Sequence, residues 1–253
     1  MKGRELTYTI AVSGKGGTGK TTLCGMLVKY LLDKGKNPIL AVDADSNSNL
    51  NEVLGVEVKS TIGEARELMK KDVPTGMTKE TWFEYKVNEA LIEANGYDLL
   101  VMGRPEGPGC YCAANTLARK YIDILSDNYP YVVIDNEAGM EHLSRLTTQN
   151  VDLLIITSDP SNRGVTTAGR IRDLVLELNL DIGRSVLVVN RAPGSLDPAI
   201  VRQAGVLGLE LAGTIPADEM LFRFDLEGKP TFGLPAGSPA VRSAREIFDR
   251  LIQ

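Results

Sequence analysis

The chain is short of the residues that cross-link or anchor a protein. It has three cysteines and one histidine among 253 residues. That is too few for a disulfide framework, so any role for cysteine must lie in thiol or metal chemistry. No stretch approaches the ~20 consecutive apolar residues of a membrane span. The opening MKGRELTY lacks the apolar core of a secretory signal, which predicts a cytoplasmic protein. Excess positive charge is missing as well. The formal net charge is −5, which argues against a general nucleic-acid or anionic-membrane surface. There are no repeats and no low-complexity tracts. Hydrophobic content of 43% and charged content of 24% are ordinary for a globular protein. The length suffices for an ample core, in one large α/β domain or two small ones.

Short apolar runs alternate with longer helical patterns. Strand-type runs cover residues 6–12, 38–42, 97–102, 131–135, 152–157, 185–189 and 211–215. Helical patterns fall at 23–32, 62–71, 115–125, 162–178, 198–206 and 240–252, with short helices after residues 46 and 140. Residues 72–79 and the Pro- and Gly-rich 104–113 read as loops. Residues 82–94 are ambiguous. Phe83, Tyr85 and Val87 alternate as a strand would, while Val87, Leu91 and Ala94 fit a helical face, and a helix from about Lys86 is the reading adopted. The continuous apolar strands predict a mostly parallel sheet of about seven strands with helices on both faces, a single doubly wound α/β domain over 1–253. Ligands of such sheets bind at the strands' carboxyl ends. Residues 13–22, Asp45, 104–113, 135–140 and Asn190 all fall there.

Residues 13–22, SGKGGTGKTT, fit G-x-x-x-x-G-K-[ST] with Gly14, Gly19, Lys20 and Thr21 in the fixed places. A strand-type run precedes them and a helix follows, the setting a phosphate loop requires. The glycines let backbone N–H groups turn toward phosphate oxygens, and the helix N-terminus adds its dipole. Gly14, Gly16, Gly17, Thr18, Gly19, Lys20, Thr21 and Thr22 are therefore the expected ATP/ADP contacts. Lys20 would reach the β- and γ-phosphates, and the Thr21 hydroxyl would hold Mg²⁺. Lys15 gives the loop a second, early lysine. With it the motif resembles the deviant Walker A loop of the ATPase family that includes the nitrogenase iron protein, the partitioning and division-site ATPases and several metallocentre-insertion ATPases. The resemblance implies that Lys15 reaches the partner's nucleotide across a homodimer.

Asp43 and Asp45 leave the second strand together, and a carboxylate there can position a water, hold Mg²⁺ through water or cap the next helix. The resemblance makes Asp45 the water-activating residue, with Asp43 standing behind it or paired with a loop lysine. Residues 131–135 end in Asp135 and lead into Asn136-Glu137-Ala138-Gly139. This has Walker B form, with Asp135 on the metal side, and it resembles the family's second switch, in which Gly139 senses the γ-phosphate. Asn190 and Arg191 suit the adenine edge and face. By resemblance Pro216 and Asp218, in the loop after the last strand, add base or ribose contacts. Asn190-Arg191-Ala192-Pro193 is not the N-K-x-D of guanine readers, which favours ATP over GTP.

Cys110 and Cys112 stand at i and i+2 in the 104–113 loop, and thiolates suit zinc, nickel, copper(I) or iron–sulfur units. Two sulfurs cannot complete a four-coordinate site, but two such pairs across a twofold axis can. Incidental thiols or a bridge between them stay open. Cys24, in an apolar helix, reads as a buried hydrophobe. MGRPEGPGCYC at 102–112 and VIDNEAGMEHL at 133–143 resemble the CooC-type nickel-insertion ATPases. That resemblance implies Ni²⁺ (with Zn²⁺ as a substitute) held by paired Cys110 and Cys112, and delivery to apo carbon monoxide dehydrogenase or acetyl-CoA synthase. His142, just after the second switch, reads as a surface or helix-end histidine, with assistance to the metal or docking of the target as the alternative. Two alternatives stand beside it. One is a partitioning or positioning switch, whose only support is the apolar stripe Val241, Ala244, Ile247, Phe248 and Leu251 beside Arg242, Arg245 and Arg250, a pattern that a terminal helix docked on the sheet gives equally and that docking explains better. The other is an iron–sulfur scaffold or electron donor.

Overall fold

Apolar runs with no polar face need cover on both sides, and the fold supplies it. The computed structural model describes residues 7–104, 111–138 and 150–252, with residues 70–71 and 111–118 described by backbone alone. The described elements run β1 (Tyr8–Gly14), α1 (Lys20–Asp33), β2 (Ile39–Asp43), α2 (Leu50–Leu54), α3 (Ile62–Lys71), α4 (Lys79–Glu89), β3 (Ile92–Glu93) and β4 (Tyr97–Val101). They continue with α5 (Tyr111–Ser126), β5 (Tyr131–Asp135), β6 (Asn150–Ser158), α6 (Asn162–Glu177), β7 (Asp181–Ala192), α7 (Pro198–Val206), β8 (Leu211–Pro216), α8 (Glu219–Leu226) and α9 (Pro239–Leu251).

The strands form one sheet in the order β3-β4-β2-β5-β1-β6-β7-β8. All the pairings are parallel except β3 with β4. Alternate side chains of each strand enter two separate cores. Ile10 and Val12 of β1 join α1, α2 and α9 on one face. Ala11 joins α3, α4, α5, α6 and α7 on the other. Successive side chains of a strand point to opposite faces, so β1 serves both cores. β1 also lies where the strand order reverses, between β5 and β6, so the loop it feeds opens onto the crevice at that point.

Among the described residues the sheet has eight strands, one more than the sequence predicts. The extra one is β3, a two-residue edge strand paired antiparallel with Ile92 opposite Leu99. The preceding helix begins at Lys79, well before Lys86, because the Thr78 hydroxyl accepts from the Thr81 N–H at 3.2 Å and caps it. Phe83 and Val87, four apart, are buried with Trp82, while Tyr85 is exposed, so the strand-like alternation was an accident of composition. α5 starts at Tyr111, making the end of the expected 104–113 loop helical. α8 was not anticipated; it is a short helix whose apolar residues are at most partly buried, with Leu221 and Phe224 packed against the core. The short helix read after residue 140 lies outside the described residues.

The stripe of the final helix faces inward. Val241, Ala244, Ile247, Phe248 and Leu251 are all buried, and Phe248 packs its ring 5.3 Å from that of Tyr30 on α1. The stripe is thus occupied by packing on α1 and β8. No helix among the described residues is long and apolar enough to cross a membrane.

Candidate nucleotide site

The loop between β1 and α1 is held by a chain of hydroxyls. Thr18 Oγ1 donates to Lys15 O at 2.8 Å and lies 2.8 Å from Thr157 Oγ1 at the end of β6. Thr157 Oγ1 in turn lies 3.2 Å from Ser13 O. On the far side, Asn190 Nδ2 donates to Thr18 O at 2.9 Å. Gly14 is required where the loop starts. Its φ is +154°, and a Cβ there would collide with the hydroxyl and carbonyl of Thr157. Gly19, at φ 86°, caps α1 in a left-handed conformation beneath the Asn190 amide, where a Cβ would strike that amide. Backbone N–H groups of the loop and of the first turn of α1 therefore converge on one cradle.

The two lysines diverge. Lys20 is only 7% exposed, whereas Lys15 at the loop tip is exposed. Thr21 donates to Asp135, the buried carboxylate ending β5, which stands level with Asp43 of β2. Burial pushes the Asp135 carboxyl up to about 7; the Thr21 hydrogen bond and the Lys20 charge counter this, while Asp43 adds to it. Its Oδ1 is buried without a hydrogen-bond partner. A buried carboxylate oxygen left open beside a threonine hydroxyl and a phosphate loop suits Mg²⁺, whose hard oxygen ligands are of this kind. When bound, the ion supplies positive charge to the β- and γ-phosphate oxygens.

Asp43 is also buried, and burial raises its carboxyl to about 6, against hydrogen bonds that lower it. It accepts from Leu50 N at 2.9 Å and Asp45 N at 3.1 Å, so of the roles open to it, it fills the cap of the following helix. Asp45 is half-buried. Its Oδ1 accepts from the backbone N (2.8 Å) and Nδ2 (3.1 Å) of Asn47.

A pocket of about 410 Å³ continues from the phosphate loop, lined by Gly19, Thr22, Met26, Asn190, Arg191, Pro216 and Phe222 among others. Its apolar walls and its contact with the loop suit a nucleoside. Asn190 lies inside β7 and not just past a strand, at an irregularity where Arg191 takes φ 55° and donates its N–H to Asn190 Oδ1 at 2.9 Å. One amide proton and one lone pair of Asn190 remain for a base edge.

Asp218 lines the same pocket but does different work from that expected. Oδ1 accepts from Met220 N (2.8 Å) and Leu221 N (3.4 Å), and Oδ2 from Ser238 Oγ and Ala240 N (3.0 Å). Burial pushes its carboxyl up, but these donors outweigh that and hold it below the ordinary value. Four donors fill both oxygens, so Asp218 ties α8 to α9 and has no lone pair left for a ribose or base.

Cys110, Gly139 and His142 lie outside the described residues, and Cys112 is described only as the second residue of α5. Cys24 is fully buried in α1, as expected of a small hydrophobe. Thr157 and Phe222 were not foreseen. The polar Thr157-Ser158 ending the apolar DLLIITS run was the only signal for the first.

A doubly wound parallel sheet, a phosphate loop at its switch point and an acidic strand end beside the helix-leading threonine define a P-loop nucleoside triphosphatase. The family of CobQ/CobB/MinD/ParA nucleotide binding domains matches residues 9–232. The chain belongs to this family and is an ATP-hydrolysing P-loop enzyme. It is 47% identical to an uncharacterised ATP-binding protein of Methanocaldococcus jannaschii, over 96% of this chain and 98% of that protein. It is 32% identical to the carbon monoxide dehydrogenase accessory protein CooC of Rhodospirillum rubrum, over 92% and 91% of the two chains. The septum site-determining protein MinD of Pyrococcus horikoshii, solved with Mg-ADP, superposes with a TM-score of 0.72 at 22% identity, covering 98% of this chain and 97% of that one. At that identity the likeness speaks for the fold.

Proposed function

We propose that the chain is a single-domain cytoplasmic metallochaperone ATPase. It dimerises around nucleotide, holds nickel between the Cys110 and Cys112 pairs of two copies, and delivers it to apo carbon monoxide dehydrogenase or acetyl-CoA synthase. The observation that carries the reading is the Cys-x-Cys pair. It follows β4, whose carboxyl end lies on the same sheet edge as the phosphate loop, and Cys112 opens α5. The 32% identity to the carbon monoxide dehydrogenase accessory protein CooC along nearly the whole chain supports such a dehydrogenase as a recipient.

In this reading Lys20 and the loop residues Gly14, Gly16, Gly17, Thr18, Gly19, Thr21 and Thr22 bind the phosphates. Asn190, Arg191 and Pro216 bind the adenosine. Thr21 and Asp135 would hold Mg²⁺. Asp45 positions the attacking water, and Gly139 reports the γ-phosphate. The exposure of Lys15, against the burial of Lys20, supports its use across the dimer interface. ATP binds the closed dimer better than the open one, and metal bound across the same twofold axis is linked to that equilibrium in both directions.

Metal titration with mass spectrometry and sedimentation, with and without ATP, tests the reading. The wild type should bind one Ni²⁺ or Zn²⁺ per two chains. The Cys110→Ala, Cys112→Ala double variant should bind none and still bind ATP. Unchanged metal content, or a monomer when saturated with both ligands, would refute it. A partitioning role has less support, because the terminal stripe it would use to meet a surface is packed inside.

A further inference from the structure

The loop that follows β2 carries Asp45, and β2 lies between β4 and β5 in the sheet. Each neighbour sends one side chain onto that loop. Leaving β4, Arg104 donates from Nη2 to Asn47 Oδ1. Leaving β5, Glu137 accepts from Ser46 Oγ at 3.1 Å. Asn47 sits between Arg104 and Asp45. Its oxygen takes the guanidinium, while its Nδ2 and backbone N both donate to Asp45 Oδ1, at 3.1 and 2.8 Å.

A cation on the amide oxygen polarises the side-chain amide and strengthens its Nδ2–H donor, which acts beside the backbone N–H. Both donors meet the same carboxylate oxygen, which leaves Oδ2 of Asp45 for another partner. Arg104 is itself anchored. Gly63 N, at the start of α3, donates to Met102 O at 2.8 Å, and a Cβ on Gly63 would lie 2.8 Å from Arg104 O. Gly103, at φ +64°, abuts the Thr61 side chain. The backbone that presents Arg104 is thus packed against the capped start of α3.

We infer that Arg104 is a positioning residue for ATP hydrolysis: through Asn47 it holds the Asp45 carboxylate turned so that Oδ2 meets the attacking water. The Ser46–Glu137 bond steadies the loop from its other side. Arg104 touches neither nucleotide nor water in this scheme. Its loss lets the carboxylate rotate and lowers the fraction of complexes in reactive geometry. The inference rests on the reading of Asp45 as the water-positioning group.

The test is steady-state ATPase kinetics on the full chain with Mg²⁺, for Arg104→Ala, Asn47→Ala, the double variant, Arg104→Lys and Asp45→Asn. Arg104→Ala and Asn47→Ala should each lower kcat about three- to tenfold, the size of one such hydrogen bond, with KM for ATP within about twofold of wild type. The double variant should be no slower than the worse single one, because both remove the same relay. Arg104→Lys, which keeps a cationic donor, should recover most of the rate, a rescue that a folding defect would not show.

Unchanged kcat in Arg104→Ala, a change confined to KM, or additive losses in the double variant would overturn the inference. Asp45→Asn at wild-type kcat would remove the reading of Asp45 instead. Its inactivity beside fully active Arg104→Ala would sink the relay alone.

Discussion

Asp135 is where function and stability oppose each other most directly. Its carboxyl is 1% exposed, has an orphaned Oδ1, and has its titration raised from 3.8 to about 7, first by burial. A group whose folded pKa lies above its unfolded one adds stability that is whole below the unfolded value. That contribution is lost as the pH rises through the folded value. The metal- and nucleotide-free protein should therefore lose stability between about pH 4 and pH 7 on account of this group. That rise in pKa has a ceiling of ~4 kcal/mol, and relaxation around the buried charge brings the expected loss to about 2 kcal/mol.

Asp135→Asn removes the charge and keeps the shape, and its amide oxygen can still accept from the Thr21 hydroxyl. In EDTA at about pH 8 the variant should be more stable than wild type by about 2 kcal/mol, or roughly 4–8 °C in Tm. At about pH 4 the two should coincide, because wild-type Asp135 is then neutral. Mg²⁺ with ATP should raise the wild-type Tm at pH 8 and leave the variant nearly unmoved. Thermal melts by circular dichroism at the two pH values measure this. A variant as stable as wild type, or less so, at pH 8 in EDTA would refute the account of Asp135 as an incompletely compensated buried charge.

Three further outcomes follow from the packing. Gly14→Ala forces a Cβ onto the Thr157 hydroxyl and carbonyl at a positive φ, so it should abolish ATP binding by calorimetry and lower Tm. Thr157→Val deletes the hydroxyl between Thr18 and Ser13, which should cost about 1–3 kcal/mol in denaturant titration and raise KM for ATP. Phe248→Ala empties a fully buried site between α9 and Tyr30, and should cost about 3–5 kcal/mol without changing KM for ATP. A loss under 1 kcal/mol would show that α9 is weakly docked.

Much of this protein is legible in one dimension, and the reason is locality. The phosphate loop is contiguous: Gly14, Gly19, Lys20 and Thr21 act through a strand, a turn and a helix that neighbouring residues specify. Seven strands are legible because an unbroken apolar run needs a sheet covered on both faces. Asp135 and Asp43 are legible as acids ending such runs. Other features depend on which strands become neighbours, and only the sheet order decides that. It sets β6 beside β1, which makes Thr157 part of the loop, and β4 and β5 on either side of β2, which brings Arg104 and Glu137 onto the Asp45 loop. Asp218 needed the third dimension for the same reason, whereas the final stripe was already legible as a docking face. A helix face or a carboxylate shows its chemistry in the chain, but what meets it is settled by packing across long stretches of sequence.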